Sequence, residues 1–252
     1  LEVNNPFAAY GIEHLSPSSC NTFSASAAAF VMQKCFKIHV PVGAAAFRGT
    51  AVEDGIIHGL LNEATVEECL QVTTNTFNRL SALTLDPKKD KEEGSLHDMV
   101  RMGLAELKDY GKPSSVQGRV EYRVEGLAVP LIGFYDAEWE QHGVLTDIKT
   151  SHALPSKIKT AHARQVALYR AARGHNMSAR VTYITPKKSA TYELENADQH
   201  LQALVRIAMS IQNFLADSPD PHVLASKIAV DTDSFYFNDP IARQKAFEIW
   251  GY

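Results

Sequence analysis

The sequence predicts an α/β fold, a central sheet with an antiparallel meander flanked by helices, and three observations carry that prediction. Up to about Tyr110 the apolar residues recur at helical spacing; from Val116 to Lys149 they alternate with period two; beyond that, segments of helix and strand length follow one another. The 252 residues, 45% hydrophobic and 21% charged, are enough for one large α/β domain or two small ones, and they exclude a disordered, collagenous or disulfide-stapled chain. No apolar run approaches the roughly 20 residues needed to cross a bilayer. The longest nearly uncharged stretch, Thr22 to Gln33, is short and rich in alanine and serine. The first residue, Leu1, is not a methionine, which leaves room for an upstream leader or tag.

The elements follow in order. Ser16-Pro17-Ser18-Ser19 reads as a helix start, with an apolar series from Phe23 to Val31, and Pro41-Val42-Gly43 ends it. A second helix is expected from Ala44 to Leu61. A third runs from Thr65 to about Leu83, where Val66, Leu70, Thr73, Phe77 and Leu80 keep one face. Asp86 to Gly94 is a charged loop containing Pro87, and an amphipathic helix covers Ser95 to Tyr110. Three strands are expected over Val116–Val124, Val129–Trp139 and Val144–Lys149, parted by Glu125-Gly126 and Gln141-His142-Gly143. Then come a helix from Ser156 to Arg173, strands over Arg180–Thr185 and Ala190–Leu194, a helix from Ala197 to Leu215, and a last short helix near Ile241 to Trp250. With no internal repeat and no low-complexity linker, the chain reads as a single domain. Its core spans about residues 16–195 and a C-terminal helical addition about residues 196–252.

Cys20, Cys35 and Cys69 match neither a zinc spacing nor a disulfide framework, so free thiols in a reducing compartment are expected. The net charge of −4 hides an uneven distribution. From Ile148 to Ala190 there is no acid, and nine cations lie there: Lys149, Lys157, Lys159, Arg164, Arg170, Arg173, Arg180, Lys187 and Lys188. The rest of the chain carries −13. Such a band suits either a groove that holds phosphates or a solvated helix face.

The densest chemistry lies in one stretch. If the second and third strands pair around Gln141-His142, residues whose numbers sum to 283 face each other, which sets Asp136 opposite Asp147. Lys149, two residues on, then shares the face of Asp147. A three-residue loop with a left-handed Gly143 would instead shift the sum to 284. Facing like charges need compensation, and a divalent cation with hard oxygen ligands supplies it. An ammonium beside that ion can orient or help deprotonate an attacking water and stabilise charge on a phosphate. The bland alternative is a surface hairpin in which Asp147 simply pairs with Lys149. Asp86-Pro87-Lys88 and Glu106-Leu107-Lys108 have the same acid-x-Lys pattern, but in a loop and on a helix.

The order of segments resembles the RecB-like branch of the PD-(D/E)XK nucleases, which includes bacterial recombination nucleases, CRISPR adaptation nucleases and lambda-type phage exonucleases. Ser16-Pro17-Ser18, Arg48-Gly49-Thr50-Ala51-Val52-Glu53, Glu121, Gly133-x-x-Asp136, Asp147-Ile148-Lys149 and Gln165-x-x-x-Tyr169 occur in the family's sequence, over about residues 16–170. The resemblance implies a restriction-endonuclease-like core with a mixed sheet. It further implies Asp136, Asp147 and Glu53 as metal ligands, with Asp54 and His58 as alternatives to Glu53. The carbonyl of Ile148 would be a further ligand and Lys149 the catalytic lysine. Gln165 and Tyr169, one helical turn apart, would contact DNA, as would Arg48, Lys157, Lys159 and Arg164.

The implied activity is Mg²⁺- or Mn²⁺-dependent hydrolysis of DNA at its ends, for recombination, repair or replication, in the cytoplasm of a bacterial or phage-infected cell. A flap or single-strand endonuclease and a catalytically silent DNA-binding module are the rival readings. No iron–sulfur cluster is expected, because no cysteine follows Cys69 and Ser26 stands near the position of the first ligand. Without a phosphate-binding Walker loop, any helicase, recombinase or annealing partner is a separate chain. Lambda-type relatives form rings, although no residues here mark a self-complementary interface.

Overall fold

The computed structural model describes residues 5–174 and 176–251. In chain order the helices and strands are α1 (Pro17–Ala25), α2 (Ala27–Phe30), α3 (Ala44–Asn62), α4 (Val66–Ser81), α5 (Lys89–Glu93), α6 (Leu96–Leu107), β1 (Ser115–Tyr122), β2 (Leu131–Trp139), β3 (Val144–Thr150), α7 (Thr160–Arg173), β4 (Ser178–Ile184), β5 (Ser189–Glu193), α8 (Ala197–Ala216), α9 (Pro221–Ala225) and α10 (Pro240–Trp250). The α/β expectation holds: a mixed five-stranded sheet in the order β1-β2-β3-β4-β5 is flanked by helices.

Three helices differ from the sequence reading, one of them the short α5, which forms inside the charged segment Asp86–Gly94 expected as a loop. The first does not run unbroken, because Ser26 takes an extended conformation and its hydroxyl accepts the N–H of Ala29, ending α1 and capping α2. Val31–Cys35 continues as π-helix. The helix expected from Ser156 starts instead at Thr160, with Lys159 extended at its N-cap and its N–H donated to the Tyr183 hydroxyl at 3.0 Å.

The chain divides into two compact units. One comprises the residues up to Pro41, Glu121–Gly133 and those from Asp198 onward. Its small core packs Ala28, Ala29 and Met32 against Phe237, Ala242 and Ala246. The other, Val42–Val120 with Phe134–Ala197, holds the candidate site. There β3 and β4 run parallel from Val144↔Ser178 to Thr150↔Ile184, joined by the crossover helix α7, and β4 and β5 pair antiparallel. Alternation along β3 sorts its side chains. Val144 and Ile148 join Trp139, Ile184, Ile56, Phe77 and Met99 in the core beneath α3, α4 and α6. Asp147 and Lys149 face the other way, toward α7.

The helix layer is set by glycines in α3. A Cβ at Gly55 would come within 2.0 Å of Thr73 Oγ1 and 2.9 Å of the Cys69 carbonyl oxygen, so α3 and α4 approach as closely as backbone allows. Gly55→Ala is expected to lower stability by about 1–3 kcal/mol, read as a fall in the urea midpoint with the slope unchanged.

Candidate active site

The site sits where the β2–β3 ladder stops. Ala137↔Thr146, Glu138↔Leu145 and Trp139↔Val144 pair, each summing to 283. The connection is a tight turn over Glu140–His142 closed by a left-handed Gly143, φ 61°. The left-handed glycine therefore coexists with the 283 register, because the loop between Trp139 and Val144 has four residues rather than three. The next pair would be Asp136 with Asp147, and there pairing ends. In its place the Asp136 carboxylate accepts the Ile148 N–H at 2.6 Å. The two acids are thus drawn together by a side chain bonded to backbone, not by directly facing positions.

Asp147 is 0% exposed and Asp136 7%. Lys149 Nζ lies 2.5 Å from Asp147 Oδ2, so the shared face expected from alternation is observed. The contact is a close ion pair, and the ammonium is the group that faces Oδ2. Oδ1 is held by α7: the Gln165 amide donates to it at 2.9 Å and lies 2.6 Å from the Tyr169 hydroxyl. Their one-turn spacing puts both on the face toward β3. Tyr169, expected to contact DNA, is 1% exposed and braces Gln165 against Asp147.

Electrostatics follow from this burial. Asp136 is pushed well above the usual carboxylate range, first by loss of solvent and then by the charges of Asp147 and Glu53. Burial also raises Asp147, outweighing the opposing pull of Lys149. Burial disfavours the Lys149 ammonium, but Asp147, Asp136 and Glu53 together outweigh it and raise its pKa. Carboxylates perturbed by burial and by one another beside one ammonium make this cluster a candidate functional centre.

Of the three acidic or imidazole candidates on α3, Glu53 is the one turned to this centre. Burial, then Asp147, raises its pKa, and Gln117 of β1 donates to its carboxylate. Asp54 is occupied by the Thr76 hydroxyl at 2.9 Å, and His58 lies 3.2 Å from the Asn62 amide nitrogen. Gln117 was not visible as a site residue in the sequence. Its φ of 50° is a left-handed conformation rare outside glycine, costing about 1–2 kcal/mol, and no side-chain pattern announces it.

Arg48 is corrected. It is 5% exposed and ion-paired to the buried Glu92, and it contacts Thr150 Oγ1 and the Thr150 carbonyl at 3.3 Å each. It ties α3 to the end of β3, and its guanidinium is engaged within the protein rather than held on the surface. His152 Nε2 completes the cluster, 2.9 Å from Glu92.

The basic band is also divided. Arg173 is bound to Glu138 and Glu140 at 2.9 and 3.2 Å, and Arg180 to the Tyr110 hydroxyl and Glu193 at 2.5 and 3.5 Å, near the start of β3 and β4. Lys187 and Lys188 occupy the turn after β4, at the other end. Of the others, Lys157 and Lys159 are exposed in the segment before α7, and Arg164, half-buried, lies on α7.

These residues fit a divalent cation. Buried, mutually repelling acids offset by a single ammonium are oxygen donors that a further positive charge would stabilise. Among the described residues no three His, Cys, Asp or Glu side chains form a ready-made cage, and Mg²⁺ ordinarily takes one or two carboxylates with water. Among the described residues no helix is long and apolar enough to cross a membrane.

In comparison with known proteins, the family described as the PD-(D/E)XK nuclease superfamily matches residues 14–236. No curated protein matches the chain. Among solved structures, one titled "Crystal structure of SSO0001" is similar at 17% identity and a TM-score of 0.34, covering 73% of this chain and 85% of that one.

Two outcomes follow from the buried charges. Arg48→Met leaves the buried Glu92 with only the His152 ring beside it and is expected to destabilise the protein in urea unfolding by up to about 3–5 kcal/mol. For Asp136 the folded pKa is raised, so its contribution is favourable at low pH and is lost as pH rises through the raised value. Asp136→Asn is therefore expected to raise the melting temperature of the metal-free protein at pH 7, with the gain vanishing near pH 4.

Proposed function

The chain belongs to the PD-(D/E)XK nuclease superfamily, and from that premise we propose that it is a metal-dependent deoxyribonuclease that degrades DNA from its ends, in recombination, repair or replication. Members of the superfamily typically use a divalent metal, usually Mg²⁺. The observation that carries the reading is the buried Asp136–Asp147 pair with Lys149 against Asp147 where the β2–β3 ladder ends. The ordered segments from Ser16 to Tyr169, like those of the RecB-like and lambda-type enzymes, support action at ends.

Asp136, Asp147, Glu53 and the Ile148 carbonyl are the groups that would hold Mg²⁺ or Mn²⁺. Such an ion, when bound, supplies Lewis-acid polarisation of a phosphoryl oxygen and neutralises charge there. Lys149 is held as an ammonium by three carboxylates, so it acts as a donor: it orients the attacking water and stabilises charge developing on the phosphate. Gln165 and Tyr169 fix Asp147 so that its second oxygen stays directed at the site. Lys157, Lys159 and Arg164 line the approach of the strand, while the acidic remainder of the chain confines weak, salt-sensitive DNA binding to that side.

Digestion of 5′- and 3′-end-labelled linear duplex and single strands with Mg²⁺, Mn²⁺ and chelator tests the proposal. Degradation is expected with either metal and none with chelator, and Asp136→Ala or Lys149→Ala should slow it by at least about 10²-fold. Cleavage of circular single strands would make the enzyme an endonuclease; unchanged activity in both variants would remove the site.

A further inference from the structure

The first turn of α7 carries His162 over β4, where its ring lies tilted against that of Tyr183, centroids 5.6 Å apart. Tyr183 is the register partner of Lys149, so this imidazole sits beside the catalytic face of β3. The Tyr183 side chain is buried, and its hydroxyl has two neighbours. It accepts the Lys159 N–H at 3.0 Å and lies 2.8 Å from His162 Nδ1.

That geometry fixes a tautomer. Since the phenol oxygen already accepts from Lys159, its own proton goes to Nδ1; the reverse would leave a buried O–H donor without an acceptor. Nδ1 is then the acceptor, and the ring's N–H is on Nε2. Nε2 points away from Tyr183 and makes no hydrogen bond to the described residues. Burial, together with Lys149 and Lys159, pushes the His162 pKa down to about 4, so the ring stays neutral at physiological pH. A half-buried, neutral N–H donor locked in orientation between two lysines is a poor metal ligand and a poor general base, but a good donor to an anionic oxygen.

We propose that His162 is a substrate-positioning residue that donates its Nε2–H to a nonbridging oxygen of a DNA backbone phosphate adjacent to the one hydrolysed. This rests on the nuclease reading above. It adds to that reading a phosphate contact that carries no charge of its own, unlike those of the flanking lysines.

The test pairs a spectroscopic and a kinetic readout on the full chain. Imidazole ¹⁵N NMR should show His162 as the neutral Nε2–H tautomer at pH 7. His162→Asn keeps an acceptor for Tyr183 but loses the outward N–H, and is expected to lower kcat/KM on linear DNA about tenfold, carried by KM. His162→Gln can place an amide N–H near the lost one and should recover much of that loss. An oligonucleotide with a neutral methylphosphonate at the contacted position should weaken wild type and leave the Asn variant no weaker than before. An Nδ1–H tautomer, or an Asn variant with wild-type KM while wild type degrades DNA, overturns the inference and leaves the nuclease reading intact. A wild-type chain that degrades no DNA with Mg²⁺ or Mn²⁺ overturns both.

Discussion

The structure around the site depends on the burial of one carboxylate. Asp147 has no exposure, and an ionised carboxyl in that position is costly unless its oxygens are held. Every neighbouring feature answers that cost in part: the Gln165 amide on Oδ1, Tyr169 beneath it, and the Lys149 ammonium against Oδ2. The compensation is incomplete, and the shortfall is visible in the raised pKa of both acids. A purely structural ion pair would be closer to balance. The residual negative charge is what makes the centre able to attract a cation, so the destabilising term and the proposed chemistry have one origin.

The end of the β2–β3 ladder is the second part of the same arrangement. With Asp136 paired by backbone to Asp147, two carboxyls would simply confront each other across a sheet. By taking the Ile148 N–H, Asp136 satisfies a backbone donor that the ladder no longer covers and keeps one oxygen uncommitted to that bond. The parallel neighbour β4 brings Tyr183 alongside Lys149, and the crossover helix that parallel pairing demands is α7, which carries Gln165 and His162. Strand direction, more than any single side chain, explains why these groups meet.

What the sequence disclosed and what it concealed divide along physical lines. Period-two alternation through β2 and β3 gave the face shared by Asp147 and Lys149, and residue counting gave the register, because both depend only on local geometry. The loop length was misjudged because Glu140 reads equally well as the end of a strand or the start of a turn. Arg48 looked like a surface cation because its partner Glu92 lies in a five-residue helix of a charged segment, where nothing signals burial. Tyr169 shows the same limit: its spacing from Gln165 was legible, but whether a phenol faces solvent or core is decided by packing. The charge band was real as composition, yet carboxylates outside it at Glu138, Glu140 and Glu193 claim two of its arginines.

The groups gathered at Asp147 come from α3, β1, β2, β3 and α7, spanning Glu53 to Gln165 in sequence. No shorter piece of the chain contains them all, and contacts of such sequence separation carry a loop-closure cost that the finished packing must offset. During synthesis, a chain lacking α7 has its buried acid without the amide that steadies it. The centre is therefore a property of the finished unit, assembled only when all five elements are in place.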